Sequence, residues 1–227
     1  MSTQFSSTKE RSNYSRLCRL LISLGSKVLR ETFDRIIPPQ SLQCTLKRNP
    51  AHAKLQSRRN EGILNCFQWS KLYPTSPSEV SSAGFDIPML MVLLRTICDL
   101  SPPPAGWDAP PLPEDISRES DIARLKYFMN AVSSHAGEGF VGDAVFSSHW
   151  QQIHDTMVRL GGADYEDFIN EMRDQEMDLL SEEHFSELLK QWRNVEDNIK
   201  DKLKQLESVE AVSVAGELCW QKTLLLF

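Results

Sequence analysis

Residues 118–136 read Arg118-Glu119-Ser120-Asp121-Ile122-Ala123-Arg124-Leu125-Lys126-Tyr127-Phe128-Met129-Asn130-Ala131-Val132-Ser133-Ser134-His135-Ala136. Within this stretch Ile122, Leu125, Met129, Val132 and Ala136 recur at steps of 3, 4, 3 and 4. That spacing lays them along one side of a helix as a heptad-like inward stripe. Gly137 and Gly139 follow and end the helix. Upstream, residues 101–113 carry six prolines and are not helical. The run Glu114-Asp115-Ile116-Ser117 then suits a helix start.

Working outward, the same period recurs. Leu17, Leu20, Leu21, Leu24, Val28, Leu29, Phe33 and Ile36 predict a helix from about Tyr14 to the stop at Pro38-Pro39. A second helix is expected from Ser41, with Leu42 and Leu46 inward, then an irregular basic stretch over 47–62. Ile63, Leu64, Phe67, Trp69 and Leu72 form a third pattern before Pro74. After a Ser- and Pro-rich loop at 74–84, Asp86 caps an almost wholly apolar helix with Pro88 in its first turn, expected to be the central, buried one. Downstream of Gly139, Asp143 starts a helix bearing Phe146, Trp150, Ile153, Met157 and Leu160, closed by Gly161-Gly162. Two charged helices follow, at about 163–179 and 181–206, with Leu188, Leu189, Trp192 and Ile199 inward in the second. No strand pattern precedes Val209. The expectation is an all-α helical bundle of six or seven helices over 13–206, with long Pro-rich loops. Residues 1–12 are read as a disordered tail and 207–227 as a tail of open structure.

The 227 residues carry a net charge of -6, but unevenly. Residues 1–60 hold 12 Lys+Arg against 3 Asp+Glu, and the remainder 13 against 28. A basic segment can balance an acidic body or meet RNA or acidic lipid. No apolar run reaches the roughly 18 residues that span a bilayer, and no secretory pattern opens the chain. Five scattered cysteines without a C-x-x-C pair argue against disulfides and zinc and for a reducing, cytoplasmic setting. His149 and His154 are five apart, one too many for two ligands on one helix face. The phosphate-loop, dinucleotide, nucleophile-elbow and H-E-x-x-H signatures are all missing. No metal, cofactor or membrane partner is expected.

Several segments together resemble a known family. They are Phe33-Asp34-Arg35-Ile36-Ile37-Pro38-Pro39 with Leu42 and Leu46, then Trp69, Leu72-Tyr73-Pro74, then Phe85-Asp86, Leu90 and Leu94-Arg95. Pro102-Pro103, Gly106-Trp107, Asp121-Ile122-Ala123-Arg124-Leu125-Lys126, Trp150 and Arg159-Leu160-Gly161-Gly162 continue the set. In order and spacing, over about residues 30–195, they resemble the HEPN-like domain of DAZ-interacting zinc-finger ubiquitin ligases. The resemblance implies a helical domain of the HEPN superfamily, many members of which are metal-independent endoribonucleases with an Arg-x(4–6)-His motif paired across a dimer. An imidazole can move the ribose 2′-hydroxyl proton, and a guanidinium can grip the scissile phosphate.

Against that motif, Asn130 and His135 match, but Met129 stands where the arginine belongs, and a thioether supplies no charge. Arg124, eleven residues before His135, shares its face but lies about 16 Å away along an ideal helix. His135 is therefore open to three readings: a boundary or helix-end histidine, a vestigial motif position, or an active acid/base. The first hypothesis is a non-catalytic interaction module binding a protein partner or a second copy, in assemblies of the ubiquitin or innate-immune type that the resemblance implies. Trp107 and Phe128 are its candidate contact residues. The alternative is a ribonuclease or RNA binder using His135 and Asn130, with Arg124, Lys126, Arg58 and Arg59 on phosphate.

Overall fold

A computed structural model describes residues 2–75 and 80–224, with side chains placed over 9–75 and 80–205. Helix α1 (Ser2–Arg19) passes through a π-helical turn, Leu20–Gly25, into α2 (Ser26–Ile36), so that the two form one rod. Then come α3 (Pro39–Lys47), α4 (Ala51–Asn60), α5 (Cys66–Leu72), α6 (Ile87–Ile97), α7 (Arg118–Ser134), α8 (Asp143–Gly161), α9 (Asp164–Asp174) and α10 (Leu179–Leu224). Counting the rod once, that is nine helices and no strand among the described residues, against the six or seven expected.

The apolar periods account for the packing. Leu17, Leu20, Leu21, Leu29 and Phe33 of the rod are fully buried against α6 and α8, and Trp150 and Ile153 of α8 close over α7. Asp86 caps α6 by accepting the Met89 amide at 2.8 Å, and the Gln68 amide side chain donates to the same carboxylate at 3.2 Å. As expected, α6 is the innermost helix, with Met89, Leu90, Leu93 and Leu94 at or near zero exposure. At the α8–α9 turn a Cβ on Gly161 would fall 2.4 Å from the Tyr165 ring, and Gly162 has φ +106°; both positions need glycine.

Four boundaries differ from expectation, each for a physical reason. The first helix starts at Ser2, so the twelve residues read as a disordered tail are backbone helix from Ser2 on. The Asn13 amide donates to Val141 O at 3.1 Å and to Asp143 Oδ1 at 2.8 Å, the Val141 amide donates to Glu10 O, and Lys9 pairs with Asp143. These bonds tie that polar segment to the start of α8. Residues 51–60, expected to be irregular, form α4, which Leu55 anchors in the core. The α9 helix stops at Asp174, and α10 runs from Leu179 without a proline through most of the expected tail. Residues 76–79 of the 74–84 loop and 225–227 of the tail lie outside the described residues.

Candidate interaction surface around the proline-rich loop

Helix α7 organises every residue singled out by the motif comparison. Met129 is fully enclosed, and its methyl group would lie 4.0 Å from a Cβ placed on Gly25 in the π turn. The motif position therefore faces the core. Phe128, expected on an interaction surface, is also core: it is 1% exposed and packs edge-on to the His149 ring at 5.3 Å. Its neighbour Tyr127 is the exposed aromatic of that turn. Asn130 offers its backbone carbonyl to Ser133 and to Arg193, and its side-chain oxygen is buried without a partner. His135 sits on the turn closing α7, and its carbonyl accepts the amides of Glu138 and Gly139. No hydrogen bond or ring contact joins Asn130 to His135 among the described residues. His149, not singled out from the sequence as a partner of His135, is its electrostatic neighbour. Burial first, then His135, lower its pKa below the ordinary imidazole value, so it is neutral at pH 7.

Two of the four cations assigned to phosphate contact, Arg124 and Lys126, are buried and engaged internally. Asp121, 1% exposed, accepts from Arg124 and takes Arg159 through Nε at 2.8 Å and Nη2 at 2.7 Å. The second guanidinium nitrogen of Arg124 donates to the carbonyls of Leu112 (2.9 Å) and Asp115 (2.8 Å). Lys126 is buried between Glu196 (2.7 Å) and Asp108. Arg124 and Lys126 are thus buried clamps that hold the proline-rich loop onto α7, not a phosphate surface. Charged groups stay in an interior only when paired and bonded in this way.

Asp108 also meets Arg95 at 3.3 Å. Burial pushes its carboxyl up, but the Lys126 ammonium and then Arg95 outweigh that and hold it below the usual carboxylate range.

The clamped loop shapes a groove of about 250 Å³ between α4, α6 and α10. Ile63, Val92, Ile199 and Leu203 form its apolar walls, Trp107 stands half-buried at one side, and Arg58 and Arg95 border it. Arg95 lies 5.5 Å from the Trp107 ring centre, and Arg58 reaches Glu61 at 2.6 Å. Arg59 is exposed, over the Trp69 ring at 4.7 Å, and does not line this groove. Sequence reasoning found Trp107 and Arg58 but not that they share a groove, because the joining residues come from 63, 92 and 199.

Other chemistry is poorly served. Cys18 and Cys98 are buried, and desolvation pushes each thiol up to about 12, so neither is a thiolate at neutral pH. No group of three or more His, Cys, Asp or Glu side chains placed to hold a metal occurs among the described residues, and no described helix is long and apolar enough to cross a membrane.

Comparison with known proteins gives a consistent answer. The family profile described as DZIP3/hRUL138-like HEPN matches residues 39–185. The human E3 ubiquitin-protein ligase DZIP3 is 29% identical over 149 residues, which is 64% of this chain and 12% of that protein. Its mouse counterpart is 27% identical over 150 residues, with the same coverage. The chain thus spans about an eighth of the length of these curated relatives. No solved structure matches it significantly.

Proposed function

The chain belongs to the DZIP3/hRUL138-like HEPN family, and from that premise we propose that it is a non-catalytic helical interaction module that binds a protein partner at the groove beside Trp107. One observation carries the reading. Met129 is fully enclosed in the core, so the position where the nuclease arginine belongs holds no charge and faces no substrate. The nearest cations on the same helix, Arg124 and Lys126, are committed to Asp121, Asp108 and Glu196. Arg193 of α10, the cation beside the His135 turn, is spent on Asp197 at 2.8 Å and on the Asn130 carbonyl.

The groove suits a segment that presents one apolar side chain beside a carboxylate. Apolar walls take the first, while Arg95 and Arg58, each already facing a single acid, border the second. Trp and Arg are residue types that dominate binding energy at protein interfaces. By extension from relatives named as ubiquitin ligases, the module acts in the cytoplasm within assemblies of that type, without metal or cofactor.

Cross-linking mass spectrometry from cells, combined with light scattering of the purified chain across concentration, tests this. Cross-links clustered around Trp107 and Arg95, with capture reduced at least tenfold in Trp107→Ala, are expected. A strictly monomeric chain with no partner at that face overturns the reading. So does RNA cleavage that persists in EDTA and is lost in His135→Ala, which restores the nuclease.

A further inference from the structure

The end of α7 opposite His135 borders a second cleft of about 250 Å³, between α2, α7 and α8. Arg35, Arg118 and Arg159 line it together with Thr32, Ile116 and Asp121. Three arginines and one carboxylate thus line the space, an excess of two positive charges. Asp121 is engaged by Arg124 and Arg159, and the other acid in electrostatic reach of Arg159 is Asp155.

The donor inventory shows what is left for a ligand. Each guanidinium carries five N–H donors in a planar fork. Arg159 uses Nε and Nη2 on Asp121, and Nη2 also reaches Thr156, while its Nη1 has no partner. Arg35 uses Nε on Glu31 O and Nη2 on Leu160 O and Thr32, and its Nη1 is likewise open. Among the described residues no hydrogen bond or ion pair engages the exposed Arg118 side chain. Structural bonds thus fix two of the forks in place and leave donors over, and the third is exposed at the rim.

We propose that this cleft binds the terminal phosphate monoester of a small molecule. A phosphate monoester brings a charge of about −1.5 to −2 at pH 7 and three acceptor oxygens, matching the excess charge and the three arginines. A carboxylate offers two oxygens and one charge, and a phosphodiester one charge. The volume is below the roughly 300 Å³ of the smallest ordinary ligand sites, so the phosphate enters and its bearer stays largely outside. The cleft shares no lining residue with the Trp107 groove, which lies against α4 and α10.

Calorimetric titration of the full chain with inorganic phosphate and AMP, at fixed ionic strength and with cyclic AMP and chloride as controls, tests the proposal. Phosphate and AMP should bind and raise the unfolding temperature, while cyclic AMP should bind at least tenfold more weakly. Arg118→Gln should lower AMP affinity at least tenfold without moving the unfolding temperature of the free protein, and Arg118→Lys should fall between. Lys54→Gln, a remote exposed cation, should bind as wild type. An equal response to chloride or cyclic AMP overturns the site, as does undiminished AMP binding in Arg118→Gln. Preferential binding of single-stranded RNA lacking a terminal phosphate assigns the arginines to a polyanion surface and also overturns it.

Discussion

The two halves of α7 are built on opposite plans. The first half, through Lys126, buries four charged or polar groups, Ser120, Asp121, Arg124 and Lys126, and satisfies each with a partner from the loop before it or from α8 and α10. The second half buries Phe128, Met129 and Val132, keeps one small polar group inside, Ser133, which bonds the Asn130 carbonyl, and leaves Asn130 and His135 partly exposed. The first half decides where the proline-rich loop sits, and the second seals the core under the π turn. The contrast teaches that a cation on a motif-bearing helix is no guide to substrate. Arg124 and Lys126 lie next to the expected catalytic position, yet they position a loop.

The contrast can be broken most severely at Met129. If the second half is core, Met129→Arg buries an uncompensated guanidinium beside Gly25 and costs more than about 4 kcal/mol; urea denaturation should show loss of the folded state. A folded, RNA-cleaving Met129→Arg would refute the assignment. The first half is tested by Asp121→Ala, which leaves Arg124 and Arg159 without their acid and should cost about 3–5 kcal/mol. A loss under about 1 kcal/mol would show that water reaches the pair.

A third experiment separates specificity from stability. Lys126→Met alone should lose about 2–3 kcal/mol, since Glu196 keeps only Lys200 at 3.7 Å. The double change with Glu196→Leu should recover most of that loss, read as a coupling energy in a double-mutant cycle.

The mildest test is Asp108→Asn. With half of the carboxylate exposed, its loss should cost about 0.5–1 kcal/mol and should speed hydrogen exchange in 101–113. Because the folded pKa is depressed, this contribution is present above the unfolded value of about 3.9. It disappears as pH falls through the lower folded value. The wild-type-minus-variant difference in stability should therefore be flat at neutral pH and shrink below about pH 4.

Much of the fold could be read from single residues. Apolar residues at three- and four-residue steps set the rod and α8, Asp86 marks the start of α6, and Gly161-Gly162 marks the end of α8. All of these are local signals. The candidate sites were less legible. Lys126 looks like a surface cation because its acids, Asp108 and Glu196, lie far away in sequence. The spacing of Asp121 and Arg124 was a local hint, but Arg159 enters the network from 38 residues on. Phe128 falls beside the Ile122–Ala136 stripe rather than within it, so periodicity does not mark it as core. A helix wrapped on nearly every side has no outer face for periodicity to reveal.

The latch between Glu10, Asn13 and the head of α8 has a practical corollary. An expression plan that trims the chain to Tyr14, on the view that the preceding polar residues are dispensable, would strip the amide of buried Val141 of its acceptor. Orphaning one such group costs about 1–3 kcal/mol, so the shortened version would be the less heat-resistant preparation.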